Sequence, residues 1–243
     1  TPVTAFLSVA SKAAGFAVVI RVFTVAMSGI QPEWVTLFAA LSALTMTLGN
    51  VVALTQHNIK RMLAYSSIGH AGYLLLGVAA ATSAGISTVM YYLLVYTVTN
   101  VAAFGVVIMA SRAVPDDAIE GYSGLHRRSP LLSLALAISL LSLAGLPPMA
   151  GFFAKFYLFA AAYQAGLVWL VVLGLLNSAI SLYYYTYVIR QMYLVAPPSE
   201  QPVRFPAPAL VSLAVAVAAI FAFGVYSDPF IAFARMAAAG MVQ

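Results

Sequence analysis

Long apolar stretches dominate the chain, and polar positions collect in short turns between them. Seven stretches stand out, near 2–28, 34–56, 60–82, 86–111, 130–164, 167–194 and 208–236. A helix needs about 20 apolar residues to cross hydrocarbon, so the pattern predicts an all-α polytopic membrane protein. The fifth stretch is too long for one straight helix, since its 35 residues would run about 52 Å. It contains Gly145, Pro147 and Pro148. Two prolines remove two backbone donors and clash with the preceding turn. The expectation is a broken transmembrane helix with its break at 145–149, leaving half-helices near 131–145 and 149–164. A break inside the bilayer survives where protein or a wet cavity satisfies the freed backbone, as at ion sites; the alternative is a mere kink. The seventh stretch is expected to be interrupted at Tyr226-Ser-Asp-Pro229, with 229–240 as a short interfacial tail. No internal repeat is evident.

Composition sharpens this picture. Of 243 residues 63% are apolar and 7% charged, whereas a soluble domain has about 45–50% and about 25%. A water-soluble enzyme domain is excluded. The net charge of +5 comes from scattered loop residues, so no basic stripe suits nucleic acid. Cysteine is absent, which removes disulfides, thiolate catalysis and Cys-rich metal sites. No metalloprotease, redox, phosphate-loop or nucleophile-elbow motif occurs, and the three histidines are scattered. The expectation is no catalytic, cofactor-binding or metal-ligating residue. The opening residues lack a basic region and cleavage site, so they do not read as a signal peptide.

Charge asymmetry orients the spans. The turns near 57–61, 112–129 and 190–206 carry Lys60, Arg61, Arg112, Arg127, Arg128, Arg190 and Arg204, whereas those near 29–33, 83–85 and 165–166 carry no Lys or Arg. The positive-inside rule places the first group in the cytoplasm and the C-terminus on the other side. Arg21 and Arg235 oppose this weakly. The loop 112–129 also holds Asp116, Asp117 and Glu120, and is expected to be an amphipathic crossing over the cytoplasmic face. Asn58 is expected to cap the third helix.

Three ionisable residues fall deep inside spans: Lys12, His70 and Lys155. Such groups are expensive in hydrocarbon unless they face a cavity or the bundle interior, and they mark functional sites by default. A line Lys12–His70–Lys155 suits a proton relay by water-mediated steps. Tyr65, Ser66, Ser67, Tyr73, Thr97, Asn100, Tyr157, Asn177, Ser181 and Tyr184 are candidates to order that water, and Lys60 is a candidate for entry. The structural alternatives are a snorkelling or helix-pinning lysine, a hydrogen-bonded core histidine, and a tyrosine run 183–187 that serves packing. Gly49, Gly69, Gly72 and Gly151 are expected to permit close helix contact. All six carboxylates, Glu33, Asp116, Asp117, Glu120, Glu200 and Asp228, fall in loops or at span ends, so the buried lysines lack a central acid.

Four runs carry a family resemblance: Thr1–Lys12, Gln56–Tyr73, Ser139–Tyr157 and Asn177–Tyr185. Together they resemble the antiporter-like membrane subunits of respiratory complex I, NADH:quinone oxidoreductase, and within them the subunit N (subunit 2) branch. The lysine in the broken helix favours subunit N or L over M, and the Ser-Leu-Tyr-Tyr-Tyr run favours N. The resemblance implies an antiporter-like helix bundle matching the last seven of about fourteen helices. Residues 1–28 would then be the last helix of an upstream repeat. Residues 34–194 would be a five-helix repeat including the discontinuous helix 130–164, and 208–243 a C-terminal helix and tail. It implies that Lys12 links two half-channels, that Lys155 lies near the exit half-channel, and that His70 fills a polar position. The family's key glutamate and other central lysine would lie upstream. The implied function is proton translocation driven by quinone reduction in other subunits, which hold NADH, FMN, iron–sulfur clusters and quinone. Implied partners are neighbouring antiporter-like and small membrane subunits and lipid, in the bacterial inner (plasma) membrane. The alternatives are a subunit of a multisubunit cation/proton antiporter and a purely structural membrane subunit.

Overall fold

A computed structural model describes residues 3, 6–111, 114, 117–197, 201–202 and 206–242. Arg112, Asp116, Glu200 and Arg204, named above for loop charge, lie outside the described residues, as do Thr1 and Thr4. Helix α1 spans Leu7–Ala26, with π-helical turns at both ends of an α-helical Lys12–Arg21. α2 spans Gln31–Leu54 with Pro32 in its first turn, where the missing N–H costs nothing. α3 spans Ile59–Ala79 and is capped as expected: the Asn58 side chain accepts from the Lys60 and Arg61 N–H groups at 3.0 and 3.1 Å. α4 spans Ser83–Ala110, with Thr82 accepting from the Gly85 N–H. The fifth stretch is split as predicted, into α5 (Pro130–Ala144) and α6 (Ala150–Gln164). α7 spans Val168–Leu194, α8 Ala207–Val225 and α9 Ser227–Val242.

Among the described residues six of these helices are individually long and apolar enough to cross a membrane, and α5 is a shorter apolar helix. The chain is an all-α polytopic membrane helix bundle. Its polarity is inverted relative to a soluble protein. Leu37, Leu41, Leu44 and Leu48 form an exposed stripe on α2, at helical spacing. Ser42, Asn50, Ser66, His70, Asn100, Ser142, Lys155, Asn177 and Ser181 are buried. Lipid solvates the outer apolar face, and the interior gathers the groups that lipid would reject.

Helices α3 and α4 form the centre, each packed by several others. α2 lies tightest on α3, because glycines let the backbones approach: a Cβ on Gly49 would sit 2.4 Å from the Gly69 nitrogen, and one on Gly72 would sit 2.4 Å from the Met46 nitrogen. The Ser42 hydroxyl donates to the Gly72 carbonyl at 2.7 Å in the same seam.

At the basic end, residues 117–128 form a strap across the bundle. The Ile59 N–H donates to the Asp117 carbonyl and the Ile119 N–H to the His57 carbonyl, both at 2.9 Å. The Gly124 N–H donates to the Gln191 carbonyl at the end of α7, at 3.1 Å. Ile119, Tyr122, Leu125 and Arg128 point inward and are buried. Burial, with Asp117 adding to it, holds the Tyr122 phenol above its ordinary range, so it stays protonated.

The interruption expected after the seventh stretch falls at Tyr226, between α8 and α9. The residues beyond it form a helix: α9 packs along α4 and buries Ile231, Ala234 and Ala238. That i, i+3, i+7 spacing gives it one apolar stripe to bury against a neighbour.

Candidate functional site

The broken helix creates the first element of the site. α5 ends at Gly145, whose φ of +90° lies in the left-handed region that a side chain disfavours. The Leu146 N–H donates back to the Leu141 carbonyl at 3.1 Å, closing the helix end. The peptide between Pro147 and Pro148 is cis. α6 then restarts so close to α5 that a Cβ on Gly151 would sit 1.7 Å from the Ser142 carbonyl oxygen, and the Gly151 N–H donates to the Ser142 hydroxyl at 3.2 Å. Gly224 of α8 covers the break closely enough that a Cβ there would meet the Pro148 carbonyl at 2.4 Å. Protein therefore covers one side of the break, whereas Pro147 and Pro148 themselves are exposed.

Lys155 hangs from the second half-helix and returns to the first. Its amine donates to the Ala144 carbonyl at 2.9 Å and to the Ser178 hydroxyl at 2.8 Å, and the residue is 5% exposed. Ala144 is the last residue of α5, so the amine sits at the partial negative charge of a helix C-terminus. Lys12, half-buried on α1, donates to the Ser67 carbonyl at 2.6 Å and the Ser67 hydroxyl at 2.8 Å. Among the described residues the ion pairs are Lys60–Asp117 and His57–Glu120, and neither lysine of the interior has a carboxylate partner.

His70 lies between the two amines. Its Nδ1 shares a hydrogen bond with the Tyr92 hydroxyl at 2.7 Å, and its Nε2 faces the Tyr185 hydroxyl at 3.3 Å. Tyr185 in turn bonds Ser66. Two tyrosine rings flank the imidazole, Tyr96 at 5.1 Å and Tyr73 at 5.9 Å between centroids. The Lys12 amine lies 4.4 Å from the Tyr96 ring centre and the Lys155 amine 4.9 Å from that of Tyr73. Each lysine thus stands one aromatic ring away from the same histidine, held over a π face that favours its charge. A cavity of about 10 Å³, lined by His70, Tyr92, Tyr96, Thr99, Ser142 and Lys155 among others, joins His70 to Lys155. That is about the room one water occupies. The Tyr73 and Tyr96 hydroxyls are buried without a partner in hydrogen-bond geometry, although Ser178 and Asn50 lie near the first and Ser67 near the second.

The other sequence candidates divide. Ser67 holds Lys12, and Tyr73 carries Lys155. Tyr184 donates to Asn50 at 2.9 Å, and Asn177 accepts from Asn50 at 3.4 Å and donates to Thr47 at 3.2 Å, forming a polar layer between α2 and α7. Asn100 donates to the Ser8 hydroxyl at 2.6 Å, apart from the histidine. Tyr157 meets Ser227 at 3.0 Å beside α9. Lys60 is paired with Asp117 at 2.5 Å on the strap, and Tyr65 packs half-buried against the core. Thr97 and Ser181 bond carbonyls of their own helices. Sequence reasoning missed Asn50, Tyr92, Tyr96, Ser178 and Tyr185. Tyr92 and Tyr96 stand at i, i+4 on one helix face, a signal that was present but reads equally as packing.

Residues 1–181 match the family profile described as NADH:quinone oxidoreductase/Mrp antiporter, transmembrane. The chain is 54% identical over 197 residues to NAD(P)H-quinone oxidoreductase subunit 2 of a Nostoc species, an alignment covering 81% of this chain and 38% of that protein. It is 48% identical over 230 residues to NADH-quinone oxidoreductase subunit N of Moorella thermoacetica, covering 94% of this chain and 48% of that one. The chain therefore spans about half the length, or less, of these curated relatives. A chain of respiratory complex I from Thermus thermophilus superposes with a TM-score of 0.70 at 36% identity, over 81% of this chain and 44% of its own. A chain of the Mrp complex from a Dietzia species superposes with a TM-score of 0.86 at 20% identity, over 94% and 51%. The last of these is a likeness of fold.

Proposed function

Because the chain belongs to the NADH:quinone oxidoreductase/Mrp antiporter transmembrane family, as an antiporter-like subunit homologous to subunit N of complex I, we propose that it conducts protons through the line Lys12–His70–Lys155 as a membrane subunit of a NADH:quinone oxidoreductase. The observation that carries this is the pair of lysine amines, each one tyrosine ring from the same buried imidazole. Amines placed over neutral acceptors, with no carboxylate to lock them as ion pairs, are free to exchange protons with ordered water. A change of charge on one lysine is felt by the other through a low-dielectric interior. A proton on Lys155 is then released outward when Lys12 gains one, and His70 passes the proton of Lys12 on to the emptied Lys155.

In this reading the basic end faces the cytoplasm of a bacterial cell, the bundle lies in its inner membrane, and α9 runs to the opposite side. Redox chemistry belongs to partner subunits that hold NADH, FMN, iron–sulfur clusters and quinone, and this chain contributes no catalytic group. Neighbouring antiporter-like and small membrane subunits are its partners. The relatives named above, at 48–54% identity, favour this assembly over a sodium-linked exchanger, for which the support is the shared family profile and a likeness of fold.

The test is proton pumping by the whole complex in liposomes carrying Lys155→Gln or Lys12→Gln. Each is expected to abolish translocation by this subunit while quinone reduction elsewhere continues. An assembled Lys155→Gln complex that pumps at full stoichiometry refutes the relay. Retention of pumping in both variants turns the reading towards a structural subunit, and a requirement for sodium turns it towards an exchanger.

A further inference from the structure

The basic end of the bundle holds a cleft that the relay does not use. His57, Met62, Ile119, Tyr183, Tyr184 and Tyr187, among others, line a cavity of about 200 Å³ between the α2–α3 turn and the strap. At its rim His57 and Glu120 face each other at 3.8 Å, with side chains 84% and 52% exposed. The Glu120 carboxylate also accepts from the Tyr187 hydroxyl at 3.2 Å, and Gln191 donates to the same hydroxyl at 3.2 Å. At its floor stands Tyr184, whose hydroxyl donates to the buried Asn50 and whose ring lies 4.5 Å from that of Tyr185. Tyr185 reaches His70. Protic groups therefore stand in succession at the exposed rim, at the cleft floor and at the imidazole in the centre of the bundle, with the open cleft between the rim pair and Tyr184.

The charged and titratable neighbours come from three elements. The turn supplies His57; α3 supplies Lys60, paired with Asp117, and the exposed Arg61. The strap supplies Asp117, Glu120 and the buried Tyr122, and α7 supplies Tyr183, Tyr184 and Tyr187. Of these, His57 and Glu120 are the rim pair that meets water and exchanges protons on its own account, since Lys60 and Asp117 neutralise each other. An imidazole beside a carboxylate collects protons from dilute solution and hands them on faster than bare water does.

We propose that the His57–Glu120 rim and the cleft beneath it are a proton-collecting mouth that feeds His70 by way of Tyr184 and Tyr185. The proposal rests on the proton-conducting reading above and adds where that proton enters.

The experiment compares the assembled complex with its His57→Ala/Glu120→Gln variant in liposomes, following proton uptake at about pH 6.5 and about pH 8.5, with and without added imidazole. Both side chains are largely in water, so the fold should tolerate their loss. The expected result is near-normal uptake at the lower pH, a several-fold loss at the higher pH where free protons are scarce, and recovery when imidazole replaces the missing carrier. A pH profile identical to the unaltered complex overturns the proposal, and so does a loss that imidazole fails to restore, which marks a strap that only holds shape. Lys155→Gln in parallel separates the two claims. If Lys155→Gln pumps fully, conduction through this chain fails and the mouth fails with it; if Lys155→Gln is silent while the rim variant keeps the normal profile, the mouth alone is wrong.

Discussion

Lys155 hangs from a broken helix deep in the bundle, and its amine closes on a carbonyl that exists as an acceptor because α5 stops at Ala144. Lys12 hangs from α1, a helix with 11% of its span buried against 67% for α3, and its amine borrows both oxygens of Ser67 from an unbroken neighbour. The two amines face the same histidine through the same kind of ring, yet one environment is made by interrupting the backbone and the other by leaning on an intact one. Interrupting a helix inside a membrane yields an acceptor with a helix end's negative charge and no carboxylate. That acceptor cannot be lost to protonation, so it holds the amine in place whichever charge the amine carries. The Lys12 amine also has a fixed backbone acceptor in the Ser67 carbonyl, but that carbonyl lies within an unbroken helix and carries no helix-end charge.

The largest way to break this contrast is to fill the hinge. Gly151→Ala would drive a Cβ to 1.7 Å from the Ser142 carbonyl oxygen, a backbone contact that cannot yield. The expected cost is about 3 kcal/mol or more, read as a lowered melting temperature of the detergent-solubilised protein. The matched change on the other side, Gly15→Ala in α1, meets nothing within 4 Å, and should leave stability unchanged or raise it by about 0.5–1 kcal/mol. Equal losses from the two changes would mean that the hinge is no more constrained than the free helix.

A smaller break comes from Gly145→Ala. The backbone there holds φ +90°, and the new Cβ would lie 2.9 Å from Cδ of Lys155. A non-glycine residue in that conformation costs about 1–2 kcal/mol. The contact is with a flexible side chain, so the lysine moves rather than the helix. Assembly should survive, and pumping should fall several-fold as the amine leaves the Ala144 carbonyl. Preserved pumping would show that the broken helix serves packing and that the amine does not depend on it.

Much of the Lys155 region was legible in the sequence, and less of the Lys12 region. Gly145, Pro147 and Pro148 announce the break locally, because a proline's missing donor and a glycine's freedom need no tertiary knowledge to interpret. The depth of Lys12, His70 and Lys155 is equally plain, since charged residues are so rare among apolar ones. The acceptors were not legible. Every residue has a carbonyl, and nothing in the sequence singles out those of Ala144 or Ser67 as the ones that an amine reaches. Tyr92 and Tyr96 stayed hidden for a different reason: tyrosine on an apolar helix fits packing as well as chemistry, and the packing of α4 against α3 and α6 decides which it serves. The course of α9 was likewise invisible, because an apolar stripe does not name the partner that will cover it.

The finest comparison is between the two tyrosines that separate the lysines from His70. Tyr73→Phe and Tyr96→Phe each keep the ring, and with it the π face under the amine. Each removes a buried hydroxyl that lacks a partner in hydrogen-bond geometry, so stability should change by no more than about 0.5 kcal/mol, in either direction. Flux separates the two. Tyr96 lines the cavity that joins His70 to Lys155, whereas Tyr73 does not. If water in that cavity carries the proton, Tyr96→Phe slows pumping about twofold to threefold while Tyr73→Phe leaves it nearly unchanged. The readout is the rate of a pH-sensitive dye in liposomes, set beside melting temperatures of the same preparations. Equal slowing by both changes would put the control of transfer in how the rings hold the amines, and a slowing by neither would leave the cavity as a packing gap between helices.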